Sequence, residues 1–208
     1  MRRAFSATFS LMVLLAACGQ KSGPAPVPTT SPTPATSPEP PLSPDLSTGL
    51  EAVRIAQQES GSATGVVRIT LSFPRPQGRA EFWTVFLLDP SAGAGFVRVE
   101  VQRQSVVRLE EAPEFSEDPG AVPAARFDEL QFDTSDAVEK VQALEWASAP
   151  GTEVVIHPVA FDVLDENAPE QVRGQPAWSL VVSRQQVIVG TVWVSARSGE
   201  VLVERRAQ

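Results

Sequence analysis

PAWSLVVSRQQVIVGTVWVSARSGEVLVER, residues Pro176–Arg205, is the stretch whose reading decides the fold. Val and Leu recur at alternate positions, and Ser183-Arg184-Gln185-Gln186 and Arg197-Ser198-Gly199 stand where the chain must turn. The pattern predicts three short antiparallel strands. Ninety-five positions upstream the design recurs as AEFWTVFLLD and FVRVEVQRQSVVRLEE, so that Trp83 matches Trp178, Val97 matches Val192 and Val106 matches Val201.

The N-terminus has a different character. Met1–Ala17 reads as an export segment, with Arg2 and Arg3 ahead of an apolar run, Phe9–Ala17, that is too short to span a bilayer. It closes on Leu15-Ala16-Ala17-Cys18, which resembles the bacterial lipoprotein signal. The resemblance implies cleavage before Cys18, lipidation of Cys18 (a palmitate-type acyl anchor) and attachment to the membrane through that lipid. Gly19 stands where the family's inner-membrane retention signal has Asp, so the implied address is the cell envelope, at the outer membrane where there is one. Lipidation uses the only cysteine, leaving no disulfide and no thiol nucleophile. Loss of Arg2 and Arg3 makes the formal charge of −8 two units more negative, which argues against nucleic acid as a partner.

Residues 18–44 read as a tether. Nine prolines lie between Pro24 and Pro44 among Ser, Thr and Ala, a composition that cannot bury a core and favours extended polyproline II. At ~3.1 Å per residue it would reach ~75 Å. The remaining 164 residues, Asp45–Gln208, suffice for one compact domain or two small ones. In residues 45–111, Thr48-Gly49-Leu50-Glu51 is a capping box opening a helix over Thr48–Glu59, with Leu46, Leu50, Val53 and Ala56 as its apolar stripe. Strands are predicted at Val66–Phe73 (Val67, Ile69, Leu71 and Phe73 on one face), Phe82–Leu88, Phe96–Val101 and Val106–Glu110. Residues 112–132 are acidic, irregular and proline-bearing, and read as a solvated connection. In residues 133–208 a helix is predicted over Thr134–Ser148, capped by Asp133 or Thr134, with Ala137, Val141 and Leu144 buried. A strand follows at Val154–Leu164, interrupted by Pro158. The helices echo each other at an offset of eighty-five, and the ten-residue difference predicts an insertion at Asp162–Gly174.

A helix followed by antiparallel strands, occurring twice, predicts an α+β fold of two tandem helix-plus-sheet units. Ala177-Trp178-Ser179-Leu180-Val181 and the hairpin Gly190-Thr191-Val192-Trp193-Val194-Ser195-Ala196-Arg197-Ser198-Gly199-Glu200-Val201 resemble the PepSY domain. Ser195 replaces the more usual Asp, and the upstream copy has Gln104-Ser105 where Gly199-Glu200 would fall. The resemblance covers Asp133–Arg205 and extends to Asp45–Glu111. It implies an extracytoplasmic module that binds or inhibits peptidases.

Nothing in the chain forms a catalytic frame. The single histidine, His157, has no serine or cysteine nucleophile motif beside it. No zinc-ligand or EF-hand spacing and no phosphate-binding glycine loop occurs, so no metal or cofactor is expected. The chain reads as a non-enzymatic binding protein. Strand alternation puts Trp193 on the sheet face away from the helix in one unit, and Phe82, Phe86 and Phe96 on that face in the other. Either these faces pack against each other or the connection as a second core, or they form an open surface that accepts a protein segment with Trp193 as anchor. A structural role in envelope assembly, and carriage of a small apolar ligand between helix and sheet, are the competing functions.

Overall fold

In the computed structural model, residues 45–113, 115 and 119–207 are described; the leader, Cys18 and the proline-rich segment lie outside them. The first helix, α1 (Gly49–Ser60), begins at the capping box: the Glu51 carboxylate accepts the Thr48 N–H at 2.8 Å, and the Thr48 hydroxyl accepts the Glu51 N–H at 3.4 Å. Gly61, at φ +65°, ends it. The expected stripe of Leu46, Leu50, Val53 and Ala56 is buried.

That stripe covers an antiparallel meander of β2 (Gly65–Arg75), β3 (Arg79–Leu88), β4 (Phe96–Gln102) and β5 (Ser105–Glu111), with the two-residue β1 (Ser47–Thr48) added at one end of β3. Ile69, Val85 and Val99 are cross-strand partners, as are Leu71, Trp83 and Val101, and all are buried. Further along, α2 (Thr134–Gln142) precedes β6 (Thr152–Ile156), β7 (Val159–Asp162), β8 (Ala177–Arg184), β9 (Val187–Ser195) and β10 (Val201–Arg206). The second sheet runs β10-β9-β8-β6, the same order as β5-β4-β3-β2 in the first. The protein is therefore α+β, with two helices and two antiparallel sheets among the described residues.

The two helix–sheet assemblies meet at their helix N-termini. The N-cap side chains bond to each other, Thr48 Oγ1 donating to Asp133 Oδ2 at 2.6 Å. Asp133 Oδ1 accepts the backbone N–H of Leu50 (3.0 Å) and of Thr134 (2.6 Å), while Thr134 Oγ1 accepts the Gly49 N–H (2.9 Å) and donates to the Gly78 carbonyl (2.6 Å). A carboxylate between two helix N-termini complements both macrodipoles. Gly49 permits the approach, since a Cβ there would sit 2.8 Å from both the Trp178 ring and Thr134. Each assembly also uses its tryptophan alike: the Trp83 indole N–H donates to the Ser47 carbonyl (3.1 Å), and that of Trp178 to the Phe132 carbonyl (2.5 Å).

Several expectations need correction. Val154–Leu164 is two strands in different sheets. The His157 N–H makes the last ladder bond to Ser179 (2.8 Å); Pro158, lacking an N–H, cannot continue it, and its carbonyl instead accepts the Leu71 N–H of the first sheet (2.9 Å). From there β7 pairs with β2, so one run of chain edges both sheets. Phe73 faces solvent (68 % exposed) at φ +58°, so the inward alternation of β2 stops at Leu71. Helix α2 ends at Gln142, because Leu144 and Ala147 revert to three-residue turns that carry Trp146 over Gly190 and let its indole N–H reach Glu204 (2.9 Å). The connection is no solvated linker: Ala112, Phe115, Val122, Ala125 and Leu130 are buried, and Ala125 exchanges backbone hydrogen bonds with Val66.

Candidate functional site

Because β7 leaves one sheet for the other, a cleft of about 470 Å³ opens between the outer face of β8–β9 and the β2–β7 ladder. One wall follows from strand alternation. Trp178, Leu180, Val192 and Val194 point to the core, so Ser179, Thr191 and Trp193 point away from it, with Ser179 and Trp193 directly opposite each other. The second wall is Arg68 and Thr70 of β2, paired in register with Asp162 and Val159 of β7. His157 stands at the crossover, where its Nδ1 accepts the Val159 N–H at 3.4 Å. The segment 163–176, where the insertion was expected, closes one end: Ala168 and Val172 pack with Ala177, Trp193, Leu202 and Val203.

The charges in the cleft are largely committed to each other. Arg68 Nε donates to Asp162 Oδ2 at 2.6 Å, and the other oxygen of Asp162 accepts the Leu164 N–H at 2.9 Å. The Arg68 guanidinium carbon lies 5.1 Å from the Phe115 ring centroid and 6.0 Å from that of Phe86, a cation–π arrangement. By contrast, the hydroxyls of Thr70, Ser179 and Thr191 have no hydrogen-bond partner among the described residues. The cleft thus offers three free hydroxyls, an imidazole and the edge of a half-buried tryptophan around a neutralised ion pair, with the Asp165 carboxylate, which accepts the Asn167 N–H at 2.9 Å, adding a negative charge to the lining. Such a lining suits a polar ligand surface with an apolar component and no negative charge of its own, such as a peptide backbone and its side chains.

The four aromatic residues read as a binding set are not brought together. Trp193 lines the cleft, half-buried, with Arg205 over its ring at 5.5 Å. Phe86 and Phe96 form a second core beneath the connection, each with its ring centroid 5.2 Å from that of Phe115. Phe82 is half-buried beside its partners Ser72 and Gln102 and does not line the cleft. The residues that sequence reasoning missed are Thr70, Ser179, Thr191, Arg68 and Asp162. Strand periodicity already placed the three hydroxyls on outer faces, but only the crossover at His157-Pro158 brings them together.

Among the described residues no group of three His, Cys, Asp or Glu side chains is placed to hold a metal ion, and no helix is long and apolar enough to cross a membrane. No protein-family model matches the chain, and no curated protein matches it.

Proposed function

We propose that this chain is a lipid-anchored protein of the cell envelope, built from two PepSY-like units behind a proline-rich tether, that binds an extended segment of another protein in the Trp193 cleft. Duplication is supported by the shared strand order of the two sheets and by the matching bonds from Trp83 and Trp178 to the carbonyls preceding the helix caps. The anchor rests on Leu15-Ala16-Ala17-Cys18. The observation that carries the binding role is the set of three hydroxyls, of Thr70, Ser179 and Thr191, that line one cleft with Trp193 and have no partner among the described residues. An extended peptide would satisfy them with its own N–H and C=O groups in place of water. The PepSY resemblance makes a peptidase the leading partner, bound or inhibited without chemistry by this chain.

The test is site-specific photocrosslinking of the full-length chain in native envelopes, with the probe at Ser179 and, as control, at the exposed Glu153. The reading expects a discrete adduct from position 179 alone, lost when Thr191→Trp fills the cleft. Recovery of a peptidase supports inhibition, and recovery of envelope structural proteins supports assembly instead. Equal adducts from both positions, unaffected by Thr191→Trp, overturn the cleft as the site.

A further inference from the structure

The outer edge of the first sheet is unusual in composition. Strand β5 ends the sheet, and no strand pairs with its outer side among the described residues. Val107 and Leu109 on it are 54 % and 48 % exposed. An open edge with apolar side chains is a template for another strand unless charge or distortion blunts it. The bulge that leaves Val107 without a partner on β4 shortens the regular part of the edge to Arg108–Glu111.

The order of side chains in that short run singles out one partner. Leu109, opposite Val99, lies on the helix side of the sheet, whereas Arg108 and Glu110, opposite Glu100 and Arg98, lie on the other. On that other side Arg98, Glu100, Arg108 and Glu110 already form an alternating ladder: Arg98 pairs with Glu110, Arg108 with Glu110, and Arg108 with Glu100 at 4.0 Å. When two copies pair antiparallel about an axis normal to the sheet, their helices stay on one side and the axis must pass through a residue. Through Arg108 it opposes two arginines, and through Glu110 two glutamates. Through Leu109 it opposes Arg108 to Glu110 of the second copy twice over, and Leu109 to Leu109. Directly opposed unlike charges stabilise a strand pair and like charges destabilise it.

We propose that two copies of this chain associate through β5, antiparallel and centred on Leu109, joining their first sheets into one. The charge ladder extends across the junction, and the apolar side chains left open on the helix side cover each other. The proposal is independent of the cleft and of its ligand.

Sedimentation of the full-length chain over a concentration series up to about 0.5 mM tests it. Wild type should show a monomer–dimer equilibrium. Arg108→Glu and Glu110→Arg, each placing two like-charged pairs across the axis, should each weaken it about tenfold or more, and reversing both together with their β4 partners (Arg98→Glu and Glu100→Arg), so that each copy keeps its own ladder, should restore it. Because the single reversals also disturb the ladder within one copy, Leu109→Cys gives a second readout: mild oxidation should yield a disulfide-linked dimer that wild type does not form. A chain that stays monomeric throughout the series with no Leu109→Cys dimer, or a fourfold reversal that leaves association as weak as the singles, overturns the proposal.

Discussion

Removing the Asp133 carboxylate tests the joint between the two helices, and its cost can be worked from the bonds it makes. In Asp133→Ala, α2 loses its N-cap, about 1 kcal/mol. The Leu50 N–H, which donates to Asp133 at 3.0 Å from a buried residue, is left unsatisfied, at about 1–2 kcal/mol. The Thr48 hydroxyl loses its 2.6 Å acceptor, about 1 kcal/mol more. The sum is about 3–4 kcal/mol, a fall in Tm of about 6–16 °C for a domain of this size. Asp133→Asn keeps an oxygen for both backbone N–H groups but gives up the charge facing two helix N-termini and the acceptor of the Thr48 hydroxyl, so about 1–2 kcal/mol is expected. Urea unfolding followed by tryptophan fluorescence measures all of these. Thr48→Val and Asp133→Ala combined should couple by about 1 kcal/mol, because each removes the same bond. A cost under about 0.5 kcal/mol for Asp133→Ala, or strict additivity of the pair, would refute the claim that the two caps hold each other.

Two further expectations concern loops. Burial of Asp89, the largest influence, raises its pKa, but hydrogen bonds from the Ser91 and Ser62 hydroxyls and from backbone N–H groups together outweigh it, leaving the carboxyl below its ordinary value. A depressed pKa contributes stability above the unfolded value of about 3.9 that is lost as pH falls through the folded one. The urea midpoint of wild type should therefore exceed that of Asp89→Asn at pH 7, and the gap should close in acid below about pH 4. At the β8–β9 turn Gln185 and Gln186 both have positive φ, +50° and +68°, where a side chain costs about 1–2 kcal/mol. Gln186→Gly should raise stability by about 0.5–1 kcal/mol after the extra unfolded-state entropy of glycine is counted, and a destabilised variant in thermal melts would contradict that.

What could be read from sequence, and what could not, divides along a physical line. The capping box at Thr48–Glu51, the alternating strands around Trp83 and Trp178, and the Gly199 turn depend on neighbours within a few residues, and each lies where expected. The covering of Phe86 and Phe96 depends on Phe115, which sits in a segment with no periodicity, so nothing local marked it as a packing partner. Pro158 did signal an interruption, but its consequence, the transfer of β7 to β2, depends on a backbone donor, the Leu71 N–H, almost ninety residues upstream. Helix α2 is shorter than its apolar stripe suggested because Trp146 is drawn to Gly190, a contact between distant parts of the chain. The candidate site combines both kinds of information: its hydroxyls lie on predictable strand faces, and their convergence comes from the crossover.

That crossover also sets the order in which the protein can become safe from aggregation. Strand β2 is made early, yet its free side, apart from the bridge of Val66 to Ala125, is covered by β7, whose residues Val159–Asp162 are synthesised far later. Among the described residues the first sheet until then has two open edges, β2 and β5, of which β7 later covers β2. A chain cut within residues 112–132 would keep α1 and its whole meander but expose Arg68, Ile69 and Thr70 as unpaired backbone. The two sheets share a strand order, but the first is completed by a strand that follows α2.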